Sequence, residues 1–348
     1  MTLGHTLSAA MRGGLVGAAA LLAGCAVSPM DDDAMGFGAA CDRACLEATA
    51  EAYLVAMAAH DPALAPFAPD ARYTENGVEL LLPDGLWRTT NALDDYRLYV
   101  ADPGEGAIGF FSVVEENGVQ ALVSTRLQVV DQEITEAETM VARFGDGALF
   151  QPEPGSFDAP RPQFLQTLPP ERRRPRDAMI DIANSYFSAL ENNDGSDVPP
   201  FADDCHRLEN GFATANRPVA EGQTRGPLNM SCAEAFGLGY YREDTRLRDR
   251  RFLAVDEERG LVFAAVYFDH DAALREYQLT NGETRTVTRT APWTWMIHEI
   301  FQIEDGMISQ VEAVLLGVPY GMRPNWDTGV TRPSPTEEAE IAAAARGL

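Results

Sequence analysis

Two stretches of the chain carry apolar side chains at helical spacing. Leu46, Ala50, Tyr53, Leu54 and Met57 form one stripe, and Met179, Ile182, Ala183, Tyr186, Phe187 and Leu190 form a second. Recurrence at three- and four-residue steps puts each set on one face of a helix. Asp177 is placed to cap the second helix through its carboxylate. Downstream of each stripe the pattern changes to apolar runs broken by turn residues. VVEENGVQALV (113–123) resembles AVDEERGLVFAAV (254–266), run, turn and run, as in a hairpin. Residues 140–150 and 299–316 each set Asp-Gly between strand-like runs, at 146–147 and 305–306. Asp-Gly flanked by apolar runs is a strong short-range hairpin signal.

A repeat orders these elements. Residues 66–77 read PFAPDARYTENG and residues 200–211 read PFADDCHRLENG, with seven of twelve positions identical and an offset of 134. The chain is therefore two copies of one unit, each a long helix, a short helical or turn segment and an antiparallel sheet. The fold class is α+β. The units are expected at 41–151 and 178–326, joined by a linker at 152–177 and followed by a tail at 327–348. Seven prolines between 152 and 175 keep the linker out of any sheet, because proline lacks the N–H donor.

The first residues give an address. Arg12 precedes a small, apolar run at 13–23 that is too short to span a bilayer, which needs about 20 residues. The run ends in Leu21-Leu22-Ala23-Gly24-Cys25, which resembles the lipobox of bacterial lipoproteins. That resemblance implies a signal peptide at 1–24, lipidation of Cys25 and a tether at 25–40. It also implies a lipid-anchored protein of the bacterial cell envelope, sent to the outer membrane and facing the periplasm. Setting Cys25 aside leaves Cys41, Cys45, Cys205 and Cys232. An even remainder in an oxidising compartment predicts two disulfides, and proximity favours Cys41–Cys45 and Cys205–Cys232. A zinc site is disfavoured by the spacing. Net charge is −26 and no lysine occurs, so nucleic acid is excluded as a partner and the membrane is met through the lipid anchor only.

The residues around the helices carry a resemblance. Tyr186, Phe187, Ala189, Leu190 and Asp194 in the second unit, with Tyr53, Ala56 and Asp61 in the first, are similar to the ketosteroid-isomerase-like or SnoaL-like superfamily (the nuclear-transport-factor-2 cone fold). The C-terminal Val311-Glu312-Ala313-Val314, then Val318-Pro319-Tyr320-Gly321-Met322 and Trp326, resemble an uncharacterised domain family of secreted fungal and bacterial proteins. The first resemblance implies two cone-shaped units, each a curved sheet wrapped around its helix, with an apolar pocket for a small molecule. It also implies that the two units pair as a pseudo-dimer. In ketosteroid isomerases a tyrosine and a protonated carboxylic acid polarise a carbonyl while a second carboxylate moves the proton. Tyr186 matches the tyrosine by position, and no residue matches the two acids.

Candidates come from asymmetry between the units. Glu75-Asn76-Gly77 and Glu209-Asn210-Gly211 occur in both, which favours a structural duty. Aligning the two Asp-Gly turns sets His298 opposite Thr139, so PWTWMIHEIFQ is a gain of the second unit. On a strand, Trp293, Trp295, Ile297, Glu299 and Phe301 share one face and Thr294, Met296, His298, Ile300 and Gln302 the other. His298, Glu209 and Tyr186 are the catalytic candidates, His298 for proton transfer near neutral pH. Tyr186, Trp293, Trp295, Asn210 and Tyr53 are the ligand-binding candidates. Asp269-His270-Asp271 offers a polarised base or a strand-end turn, and its place directly after the apolar run 261–268 favours the turn. No serine-hydrolase, phosphate-loop or zincin motif occurs, and no cofactor or metal is expected. The sequence favours a small-molecule binder with its pocket in the second unit. An isomerase, lyase or hydratase, or an interaction module using the sheet faces, are the alternatives.

Overall fold

A computed structural model describes residues 41–145, 150–222 and 226–346. The expected signal peptide, tether and lipidated Cys25, and the Asp146-Gly147 turn, lie outside the described residues. The described residues form one compact unit that contains both halves. The first half runs α1 (Arg43–Ala58), β1 (Phe67–Glu75), β2 (Val78–Leu80), α2 (Leu86–Thr89), β3 (Thr90–Asp102), β4 (Ala107–Glu116), β5 (Val119–Val130) and β6 (Glu133–Arg143). The second runs α3 (Arg176–Glu191), β7 (Phe201–Glu209), β8 (Phe212–Ala213), α4 (Cys232–Gly237), β9 (Arg246–Asp256), β10 (Leu261–His270), β11 (Glu276–Gln278), β12 (Thr284–Thr286), β13 (Trp293–Glu304) and β14 (Met307–Val318). The tail adds β15 (Val330–Arg332) and α5 (Pro335–Ala345).

The strand order is β2-β1-β6-β5-β4-β3 in one sheet and β15-β9-β10-β13-β14-β7-β8 in the other. Both are antiparallel except for one pair each, β1 with β6 and β7 with β14. The repeated phrase explains that exception. It ends β1 and β7 in an Asn-Gly turn whose residues all have positive φ: Asn76 50°, Gly77 75°, Asn210 50° and Gly211 77°. This is the backbone that tight hairpin turns require and that Asn-Gly supplies at low cost. The asparagines also staple the parallel neighbour. Asn76 N–H donates to the Thr139 carbonyl while its Oδ1 accepts from Val141 N–H. Asn210 makes the same pair of bonds with Ala313 and Leu315.

Those bonds fix the equivalence of the halves, Thr139 with Ala313 and Val141 with Leu315, and they correct the alignment made on Asp-Gly turns. The partner of the Asp305-Gly306 turn is Asp131-Gln132 between β5 and β6, where both residues also have positive φ (50° and 66°). Glutamine stands there in place of glycine, so the turn lacks its usual mark. His298 is consequently the equivalent of Ser124, not Thr139. The 113–123 and 254–266 hairpins are both real but are not equivalents: one joins β4 to β5 and the other joins β9 to β10.

Each helix lays its apolar stripe on its own sheet. Leu46, Ala50, Tyr53, Leu54 and Met57 pack with Ile108, Phe110, Val123 and Leu127, while Met179, Ala183, Tyr186, Phe187 and Leu190 pack with Val262, Ala264, Ile297 and Phe301. The other faces of the two sheets meet in a shared cluster that includes Leu98, Phe111, Met140, Phe263, Met296 and Ile300. Ion pairs cross between the halves in matching fashion, Arg43 with Asp256 and Arg176 with Asp102. Between the halves the proline-rich segment is anchored by buried Phe157, Phe164 and Leu168. Helix α3 starts two residues earlier than expected, with Pro175 at its cap and Asp177 inside the first turn. The tail is not a detached loop, since β15 extends the second sheet along β9. Both expected disulfides are present, Cys41–Cys45 and Cys205–Cys232, with Cα atoms 5.2 and 6.0 Å apart.

Candidate functional site

The space between helix and sheet differs in the two halves. In the first half α2 fills it with Trp87, which is fully buried and meets Tyr53 edge-on at 5.1 Å. The Tyr53 hydroxyl lies 3.2 Å from Thr139 Oγ1, which lies 3.1 Å from Thr125 Oγ1, so the polar tip is satisfied by neutral hydroxyls. In the second half the residues between β8 and β9 form a long segment bearing α4, Tyr240 and Tyr241. Residues 271–292 replace the tight Asn117-Gly118 turn of the first half and fold as the β11–β12 hairpin. A cavity of about 460 Å³ remains there, walled by Tyr186, Phe268, Trp293, Trp295, Ile297 and Leu315. Its volume lies in the usual range for small-molecule sites.

Polar groups enter from β7, β13 and the inserted segments. Arg207, buried, donates to the Tyr241 hydroxyl at 2.6 Å and to Glu209 at 2.8 Å. Arg207 and Glu209 share a face of β7 because residues two apart do. Arg285 on β12 donates to Glu243 at 2.9 Å. His270 has both ring nitrogens engaged, Nε2 at 2.7 Å from Asp244 and Nδ1 at 3.2 Å from the Phe268 carbonyl. Its ring stacks on Trp293 at 4.0 Å, so it is held in place from three sides. Glu299 differs from these. It is buried on β13, lines the cavity, and its Oε2 has no hydrogen-bond partner among the described residues. Burial pushes its carboxyl up to about 8, with Arg207 opposing and Glu209 adding to the rise. Burial also raises Glu209, against the pull of Arg207.

Residues 39–141 and 172–315 match a family model described as a domain of unknown function (DUF8021). The chain belongs to the DUF8021 family. No curated protein matches it. Among solved structures it is similar to AclR, a proposed hydroxylase from Streptomyces galilaeus, at 12% identity over 40% of this chain and 90% of that one. The TM-score of 0.23 is too low to carry an argument.

In this DUF8021 chain the cavity brings together Tyr186, Glu209, Trp293 and Trp295 of the residues expected from sequence. Three others lie elsewhere. His298 points to the opposite face of β13, as strand alternation requires once Glu299 faces the cavity. It is fully buried between the sheets, with Nδ1 2.9 Å from Ser124 Oγ and Nε2 3.7 Å from Glu138. It therefore does not act on a ligand in the cavity. Asn210 spends its side chain on the backbone of Leu315 and does not line the cavity. Tyr53 is fully buried against Trp87 in the filled half and does not line this cavity. Arg207, Asp244, His270, Arg285 and Glu299 are among the other residues that line the cavity. Two of them left a signal in the comparison of halves, since Tyr73 stands where the second half has Arg207 and Thr125 where it has Glu299.

Proposed function

We propose that the protein binds a small, largely apolar molecule in the second half, with one polar group of the ligand held at Glu299. The observation that carries this is the unpartnered Oε2 of Glu299, buried in a cavity wall that also presents Tyr186, Trp295, Ile297 and Leu315; Arg207 Nε and Trp293 Nε1 of the same lining likewise lack a partner among the described residues. A buried polar atom without a partner costs about 1–3 kcal/mol, which a ligand group can recover. Ala313 on β14 lines the same cavity, so Ala313→Phe fills it from within. Calorimetry with 2-naphthalenemethanol is expected to show binding to the full-length protein, weakened at least tenfold in Ala313→Phe, about 1.4 kcal/mol. Equal affinity in both proteins would place the ligand elsewhere and end the proposal.

A second reading is an isomerase, lyase or hydratase. Its support is the unlike setting of two carboxyls in one cavity, Glu209 engaged by Arg207 and Thr214, and Glu299 beside Tyr186 with its Oε2 unpartnered. Such a split is how sites assign an acid and a base. Turnover that Glu299→Gln abolishes without loss of binding would select this reading. The interaction-module alternative has less support, because one face of each sheet is covered by its helix and the other by the opposing sheet.

We also propose that each half is a cone of the SnoaL-like type and that the halves form a pseudo-dimer. The reciprocal pairs Arg43–Asp256 and Arg176–Asp102, and the contact between the equivalents Ser124 and His298, support it. Its check is a crystal structure, in which unrelated rotations of the halves would reject it. The lipobox motif supports envelope anchoring, and the two disulfides suit that compartment. Cys25→Ser is expected to move the protein from the membrane fraction to the soluble periplasm; an unchanged distribution would count against the anchor.

A further inference from the structure

We propose that the polar group of the ligand is an ammonium, so that the cavity takes an organic amine on an apolar or aromatic body and Glu299 becomes its counterion. The proposal rests on the cavity reading above and adds the charge of the occupant. Each arginine lining the cavity, and His270 beside them, already has an acid of its own. Arg207 lies 2.8 Å from Glu209, Arg285 lies 2.9 Å from Glu243, and His270 lies 2.7 Å from Asp244. Among the described lining residues Glu299 is the carboxyl without such a partner, and it is only 3% exposed.

A carboxylate alone in that setting is too costly to persist, so in the empty cavity Glu299 keeps its proton. Its carboxyl, pushed up to about 8 by burial, is mostly neutral at pH 7. An ammonium docking at Oε2 supplies the missing charge, and the Glu299 proton leaves to solvent as the ion pair forms. The charged and titratable groups facing Glu299 are Arg207 and Glu209 from β7 and Tyr186 from α3. Arg207 opposes a second cation, but Glu209 shares its charge. Around them, Tyr186, Phe268 and Trp295 offer ring surfaces of the kind that hold organic cations. A net charge of −26 with no lysine draws cations rather than anions to the molecule.

The test is calorimetry on the full-length protein at pH 7 with three isosteres: 2-naphthylmethylamine, 2-naphthalenemethanol and 2-naphthoate. The amine is expected to bind at least tenfold more tightly than the alcohol, and the carboxylate more weakly than both. Heats measured in buffers of different ionisation enthalpy should report release of about one proton with the amine and none with the alcohol. Glu299→Gln should remove the amine's advantage over the alcohol. If the alcohol equals the amine in the wild type, or the advantage survives Glu299→Gln, the ammonium is wrong while the cavity reading stands. Failure of all three compounds to bind overturns both. Should Glu299→Gln not fold, absence of proton release in the wild type is itself enough to reject the proposal.

Discussion

Glu138→Ala should lower the stability of the protein by about 3–5 kcal/mol, measured by urea unfolding. Glu138 is 1% exposed between the sheets and takes two hydrogen bonds from Arg251, at 3.1 and 2.5 Å, from the opposite half. Arg126 Nε lies 3.6 Å away on its own sheet. Both arginines are buried, 2% exposed each, so removing the carboxylate leaves Arg251 without its acid, while Arg126 keeps only Glu136. Glu138→Leu combined with Arg251→Met should recover most of the loss, because an apolar pair of similar volume replaces the ion pair at little net cost. A single-variant loss below about 1 kcal/mol would mean that the pair does not clamp the halves together.

The same cluster sets a pH dependence. Burial raises the Glu138 carboxyl, but the charge and hydrogen bonds of Arg251, with His298, overcome this and hold it well below the usual carboxylate range. A depressed acid contributes stability above its unfolded value of about 4.3, and that contribution is lost as the pH falls below it. His298 is lowered chiefly by burial. Its unfolded form gains a proton below about pH 6.5 that the folded form resists, so its contribution also declines as the pH falls. Both groups therefore weaken the fold on the acid side, and Glu138→Leu/Arg251→Met should flatten the lower part of the curve.

Trp87→Ala is expected to cost about 3–5 kcal/mol, the range for removing a fully buried large aromatic. Trp87 is 0% exposed and packs at 5.1 Å from Tyr53 and 5.7 Å from Phe67. Its Nε1 donates to the Tyr53 hydroxyl over 3.4 Å. The vacated space lies where the second half keeps its cavity. Indole should then raise the melting temperature of the variant more than that of the wild type, as ligand linkage to a new site requires. A variant that loses little stability, or that indole leaves unmoved, would show that Trp87 is not what closes the first half.

Much of the architecture was legible in the chain. Apolar stripes announced α1 and α3, and the repeated phrase announced two halves. Cysteine parity and proximity gave the disulfide pairs. Alternation along 293–302 correctly separated His298 from Glu299, but the choice between the two faces could not be made from one strand. Histidine was favoured there for its ordinary titration range. The structure favours glutamate because burial and an unmet oxygen depend on neighbours from β7 and α3, far away in sequence. The alignment of the halves slipped for a local reason, since Gln132 occupies a turn position where glycine would have been diagnostic.

What the sequence determined by itself is therefore what short-range chemistry controls: helix faces, strand alternation, Asn-Gly turns and a doubled plan. Tertiary structure decided which copy is hollow. Trp87 reaches inward from a four-residue helix in one half, whereas residues 271–292 and the segment bearing α4 build walls around open space in the other. It also decided that His298 belongs to the layer between the sheets and Glu299 to the cavity. The reason is physical: a side chain's burial, its counterions and the room beside it are set by residues brought together across the fold, and no local pattern encodes them.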